Sequence, residues 1–356
     1  MKYFFCFLII SLTPAHAGDW ANVNSILQSG LSDKLFSGAS LYVGNTHLAL
    51  DQHSVGDSDA GKIYDIASLT KVVVTTTAIM MLVERGELSL SDKVSKFFPE
   101  FVGGNKDLVT IEDLMRHRSG LPSGAKVDEA ETLDVYVKRV CSQDLSYKPL
   151  SKTVYSDLSF ILLGRVVEIV SGVPLPDFAK QNIFTPLKMV NSSFKVSPAN
   201  QLRCAPTSVA RNCQVHDPTA FHFLPGSIGN AGLFSNLEDL SRFGRMILSG
   251  GELDGVRILS KQSVSKMTTA SGPRGLGWDF TSEFSTAPRG EIFPLGVSFG
   301  HTGYTGTTLW IDPQSQTFYL FLSNRVFMGD ERTKKPFSEF RKKLSTAIGK
   351  KVYSSP

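Results

Sequence analysis

The sequence predicts an α/β (α+β) fold: one antiparallel sheet formed by N- and C-terminal strands, flanked by helices, with a mostly helical lobe inserted between them. Three observations carry this reading. Strand-like stretches lie near the start of the chain, at 40–43 and 46–50, and again near its end, at 277–280, 305–311 and 317–323. Helical periodicity dominates the residues between them. Within that middle, the stretch after Lys71 is apolar on every side until it meets Glu84-Arg85-Gly86, which is how a helix buried at a protein's centre reads.

Residues 1–17 read as a secretory leader: Lys2, an apolar run over 3–12, then Pro14-Ala15-His16-Ala17 with an Ala-x-Ala cleavage site. The run is too short to span a bilayer, and Cys6 lies inside it rather than at the cut, which argues against a lipid anchor there. Cleavage after Ala17 would leave a periplasmic or secreted protein with a single domain over 18–356. Its sheet lobe is expected over about 18–66 and 275–356, and its helical lobe over about 67–274. The formal net charge of +4 over 356 residues is too small to argue for nucleic acid, and no later apolar run would span a membrane.

In chain order, residues 20–27 suit a short amphipathic helix, and Gly44-Asn45 suits a hairpin turn between the first two strands. Thr110-Ile111-Glu112-Asp113 opens a helix that Ser119-Gly120-Leu121-Pro122 stops within one or two turns. Residues 157–170 are helical up to Gly172, and Ser235-Asn236-Leu237-Glu238 reads as a capping box for a helix ending at Gly250-Gly251. Near the C-terminus, Phe337, Phe340, Leu344 and Ile348 fall on one helical side with lysines opposite. Packing against the sheet is the expectation for this helix, ahead of lying on an anionic membrane. Cys204 and Cys213 allow a short disulfide loop, a zinc site shared with His216 and His222, or free thiols. Cys141 reads as a buried thiol.

The chemistry centres on the start of the buried helix. Ser68 and Lys71 stand one helical turn apart and therefore on one face. A serine needs a partner to take its proton, and a lysine shielded from water can have its pKa lowered enough to help. The chain holds three other Ser-x-x-Lys copies, at Ser123, Ser192 and Ser263, and only Ser68 opens a long apolar helix. Two further stretches stand out: Tyr155-Ser156-Asp157 just before a helix, and Gly300-His301-Thr302-Gly303-Tyr304, whose glycines permit close backbone approach to a ligand. A rival Gly-x-Ser-x-Gly elbow, Gly296 to Gly300, is rejected because strands follow it and no histidine lies beyond His301.

Together, Ser68-Leu69-Thr70-Lys71, Tyr155-Ser156-Asp157 and His301-Thr302-Gly303 resemble, in order and spacing, the three motifs of the penicillin-binding protein and serine β-lactamase superfamily. The branch most similar is that of class C β-lactamases and D-alanyl-D-alanine carboxypeptidases, and the resemblance runs on through 115–122 and 215–234. It implies Ser68 as nucleophile, Lys71 and Tyr155 sharing the proton work, and an oxyanion hole from the backbone N–H groups of Ser68 and Tyr304. His301, Thr302 and Gly303 would line the substrate site with Asp157. It implies peptidoglycan stem peptides or small esters and amides as substrates, β-lactams as ligands, and neither cofactor nor metal. Two departures from the family pattern matter. Asp157 replaces the usual asparagine and cannot donate when ionised, and His301 replaces the lysine of class C β-lactamases, giving a charge expected to vary near neutral pH. Arg274 offers a fixed positive charge for a substrate carboxylate. The alternatives are an esterase, a weak β-lactamase, and a catalytically silent wall-binding protein.

Overall fold

The computed structural model describes residues 20–210, 213–223 and 228–354; the leader expected over 1–17 lies outside them. One five-stranded antiparallel sheet unites the two ends of the chain. Its strands are β1 (Gly38–Asn45), β2 (Ala49–Gly56), β3 (Phe299–Gly303), β4 (Thr307–Asp312) and β5 (Thr317–Ser323), in the order β2-β1-β5-β4-β3. The seam is β1 against β5, where Ala39 faces Ser323 and Asn45 faces Thr317. Strands β4 and β5 are buried along their whole length, because helices cover both faces of the sheet. Alternation sorts their side chains: Leu309, Ile311, Phe318, Leu320 and Leu322 join the larger core, while Trp310, Tyr319 and Phe321 point to the other face. Strand β2 is the polar, half-exposed edge.

The second face is closed by the helices Ala21–Ser32 and Asp330–Ser354. Phe337, Phe340, Leu344 and Ile348 pack there with Phe36 and Phe321, so the terminal helix spends its apolar side on the sheet. On the first face lies the helix Leu237–Leu248, whose Gly244 sits so near the Phe318 ring that a Cβ would fall 2.6 Å from it. Behind it is the mostly helical insertion between β2 and β3, built around the helices Thr77–Glu84 and Asp157–Ser171.

Several local expectations shift. The hairpin turn sits at 45–49 rather than at Gly44-Asn45: Asn45 Oδ1 accepts the N–H groups of His47 and Leu48, while Gly44 stays in the strand at a bulge and gives room to the Tyr42 ring. Residues 277–280 form no strand of the sheet; only Asp279 bridges to Gly300. The helix expected to be capped by Ser235 is capped by Asn236, which accepts from Asp239 N–H, because Ser235 is engaged in a two-residue ladder with Tyr64. The Thr110–Asp113 capping box forms as read. The buried helix starts as a wide π-turn over Lys71–Thr76 before tightening to α at Thr77–Glu84. There Thr75 Oγ1 donates to the Gly229 carbonyl instead of facing solvent.

Candidate active site

Ser68 is delivered by a tight turn. Ala67 holds φ +46°, in the left-handed region, and the N–H groups of Leu69, Thr70 and Lys71 bond back three residues to start the helix. Ser68 stays half-buried, while Lys71 behind it is wholly buried. The lysines of the other three Ser-x-x-Lys copies, Lys126, Lys195 and Lys266, are all exposed.

Lys71 has three protons and three acceptors. Its Nζ donates to Ser68 Oγ at 3.0 Å, Asp157 Oδ1 at 2.6 Å and the Asn230 carbonyl at 2.8 Å. Burial alone would push its ammonium down. The Asp157 carboxylate, with Tyr155 second, more than offsets this, and the net direction is up. The lowered lysine pKa expected from burial is therefore corrected: at rest Lys71 is an ammonium in a buried ion pair. Asp157 is the first residue of its helix and is not the cap; Ser156 caps it by accepting from Ser159 N–H.

Tyr155 completes the group, its hydroxyl within hydrogen-bonding reach of Lys71 and Ser68. Burial raises its phenol, and Lys71 pulls it partly back. Its ring is boxed in by His117 at 4.6 Å between centroids, Phe284 at 5.6 Å and His301 at 6.0 Å. The Lys71 ammonium and the Arg274 guanidinium lie 5.0 and 5.2 Å from its centroid.

His301 lies in β3 and is buried. One ring nitrogen, Nδ1, meets its neighbour's carbonyl on Thr302 at 2.9 Å. Burial, then Arg274 and Lys71, hold its pKa well below the usual histidine value. This corrects the charge expected to vary near neutral pH: the ring is neutral there. Thr302 is half-buried beside it. Gly303 lets β3 approach the nucleophile turn, since a Cβ would fall 2.4 Å from the Ile66 carbonyl oxygen. Tyr304 is half-exposed on the following turn, stacked on His216 at 5.7 Å, with its carbonyl accepting from Arg325 Nη2. Arg274 is buried, reaches Asp279 at 3.5 Å and lies beside the Tyr155 ring, so its charge is not exposed.

Cys204 and Cys213 are bonded to each other, which commits both thiols and removes them as zinc ligands. Cys141 is a buried free thiol, and burial pushes it up to about 12. Ser298 of the rival elbow is buried, donates to the Pro294 carbonyl and leads into β3, with no helix behind it. Sequence reasoning missed His117, Asn230 and Asp65. His117 and Asn230 lie inside the 115–122 and 215–234 stretches of family resemblance, but Asn230 acts through a backbone carbonyl that no side-chain pattern announces.

An antiparallel sheet joined from both chain ends, with Ser68, Lys71, Tyr155 and Asp157 gathered under it, defines a serine hydrolase of the β-lactamase fold. The family described as Beta-lactamase matches residues 24–340, and the chain belongs to it. A relative from Escherichia coli K12, provisionally named a D-alanyl-D-alanine carboxypeptidase, is 30% identical over 305 residues, covering 74% of this chain and 69% of the relative. Among solved structures, a penicillin-binding protein homologue from Caulobacter crescentus is similar with a TM-score of 0.73 at 20% identity, over 93% of this chain and 97% of its own. EstCE1, titled a hydrolase with promiscuous acyltransferase activity, gives 0.72 at 19% identity, over 91% and 98%. At these identities the two structures speak for the fold.

Proposed function

We propose that the protein is a serine acyl hydrolase of the space outside the cytoplasm that works through an acyl-enzyme on Ser68, acting on peptidoglycan peptides ending in D-alanine. The observation that carries this is Ser68 Oγ held 3.0 Å from a wholly buried lysine whose other two protons are already committed to Asp157 and Asn230. That ammonium must first release a proton to solvent, a loss that the Asp157 carboxylate opposes. A substrate that excludes water from the cleft favours the neutral amine. The free amine then takes the Ser68 proton as Oγ bonds to the acyl carbon. Tyr155 supplies the proton that the departing amine or alcohol needs, and is reprotonated through Lys71. Backbone N–H groups of Ser68 and Tyr304 hold the oxyanion, each worth about 3–4 kcal/mol in other hydrolases. Water then enters where the leaving group left and repeats the sequence in reverse, freeing Ser68. The name of the Escherichia coli relative supports the peptide substrate.

A carboxylesterase reading has one observation in its favour. With His301 neutral and Arg274 buried, these two groups offer a substrate carboxylate no exposed charge, which suits uncharged esters.

The test is intact mass of the protein and of its Ser68→Ala variant after exposure to labelled penicillin, D-alanyl-D-alanine peptides and p-nitrophenyl esters. A Ser68-dependent adduct with release of D-alanine is expected. Ser68→Ala should abolish turnover with a stability change within about 1 kcal/mol, since it removes one half-buried oxygen. Undiminished turnover in that variant overturns the assignment. Ester turnover without D-alanine release would select the second reading.

A further inference from the structure

Asp65 has no part in the chemistry above, yet the bonds of its carboxylate and its carbonyl lead to the site. It ends the two-residue strand Tyr64–Asp65 and is 2% exposed. Each carboxylate oxygen accepts one backbone N–H: Oδ1 from Ala67 at 2.8 Å and Oδ2 from His216 at 2.7 Å. Its own carbonyl accepts Thr305 Oγ1 at 2.7 Å. These partners belong to three segments. Ala67 is the left-handed residue directly before Ser68. His216 is stacked on the Tyr304 ring. Thr305 directly follows Tyr304. The next carbonyl along, that of Ile66, accepts Thr307 Oγ1 at 3.1 Å and closes the same gap.

We infer that Asp65 is a positioning residue for the transition state: its carboxylate fixes the Ser68 side of the oxyanion hole, its carbonyl fixes the Tyr304 side, and together they set the separation of the two donors. The inference rests on the oxyanion assignment of the preceding reading. The chemistry requires a carboxylate, because only an ionised acid accepts at both oxygens; an asparagine turns its NH2 toward one of the two N–H groups. The arrangement is costly to maintain. Burial pushes the Asp65 carboxyl up to about 6 against the pull of its two N–H donors, and among the described residues it belongs to no ion pair. A side chain serving only to cap a turn has no need of a second acceptor aimed at a segment about 150 residues away.

The test compares Asp65→Asn, Thr305→Val and Ser68→Ala. For each, the fraction of sites that form a covalent adduct is counted by mass. Kcat and KM on a p-nitrophenyl ester are then measured per active site, with inhibition by a phenylboronic acid, whose tetrahedral serine adduct reports the oxyanion hole. Asp65→Asn should lower kcat about 10- to 100-fold with KM within about threefold, and weaken the boronate in parallel. Thr305→Val should move both in the same direction by about 3- to 10-fold, and it decides the matter if Asp65→Asn fails to fold. A merely structural role would reduce the active fraction while leaving per-site kcat and boronate affinity unchanged, and that result overturns the inference. If Ser68→Ala keeps its turnover, the nucleophile assignment fails first and the inference falls with it. Wild-type kinetics in both positioning variants beside a dead Ser68→Ala would refute Asp65 alone.

Discussion

Replacing Asp157 with asparagine removes the counter-charge of a wholly buried lysine while keeping the side chain's size. The contact is 2.6 Å, so at an effective dielectric of about 20 the Coulomb energy is about 6 kcal/mol. Asp157 is about a third exposed, and water screens the pair, so about half of this is a fair working value. About 3 kcal/mol corresponds to a fall of roughly two pKa units for the Lys71 ammonium. Burial, the largest single influence on Lys71, would then be opposed by Tyr155 alone. If a neutral Lys71 takes the Ser68 proton, the acid limb of kcat/KM moves to lower pH by about two units and the free-amine fraction near neutrality rises about 100-fold, offset in part by the weaker base. The assay is a kcat/KM profile on a p-nitrophenyl ester from roughly pH 5 to 10, for wild type and variant, with the lysine titration followed by NMR. An acid limb that stays in place, or moves up, refutes the claim that Asp157 sets the charge of Lys71.

Three further outcomes follow from the geometry. Asp65 has its folded pKa raised from 3.8 to about 6, so the stability it contributes is fully present below about pH 3.8 and is lost as pH rises through 6. That gap is worth about 3 kcal/mol, so the urea midpoint of wild type should shift in its favour relative to that of Asp65→Asn as pH falls from about 6 to about 3.8; a constant difference across this range would contradict it. Reducing Cys204–Cys213, whose sequence separation is 9, should cost about 2–3 kcal/mol in the chain-entropy model, seen as a lower urea midpoint in dithiothreitol. Gly303→Ala should destabilise by about 1–3 kcal/mol and suppress ester turnover, because the added Cβ would fall 2.1 Å from Thr307 Oγ1 and 2.4 Å from the Ile66 oxygen. Full activity with an unchanged melting temperature would show that β3 can move away from the nucleophile turn.

Much of the fold was legible because it follows from local pattern. The Thr110 capping box, the stop at Gly172 and the Phe337-to-Ile348 stripe each depend on residues within a few positions of one another. The edges were less legible where a neighbour overrode local preference. Gly44 looks like a turn but serves as a gap for Tyr42 inside a strand, and Ser235 looks like a cap but is held by Tyr64 across a ladder.

By itself the sequence determined which residue types are present and in what order: a serine and a lysine one helical turn apart, a tyrosine, an acid, and a histidine among glycines. It also carried the strand signals at both ends that close into one sheet. Only the tertiary structure decided their charges. Lys71 is raised, against the expectation from its burial, because an aspartate 86 positions away lies 2.6 Å from it. His301 is held neutral by its burial first, with the charges of Arg274 and Lys71 acting in the same direction. Protonation depends on the distance between charges and on the water excluded around them. Both are set by contacts between segments remote in sequence, so no local pattern encodes them.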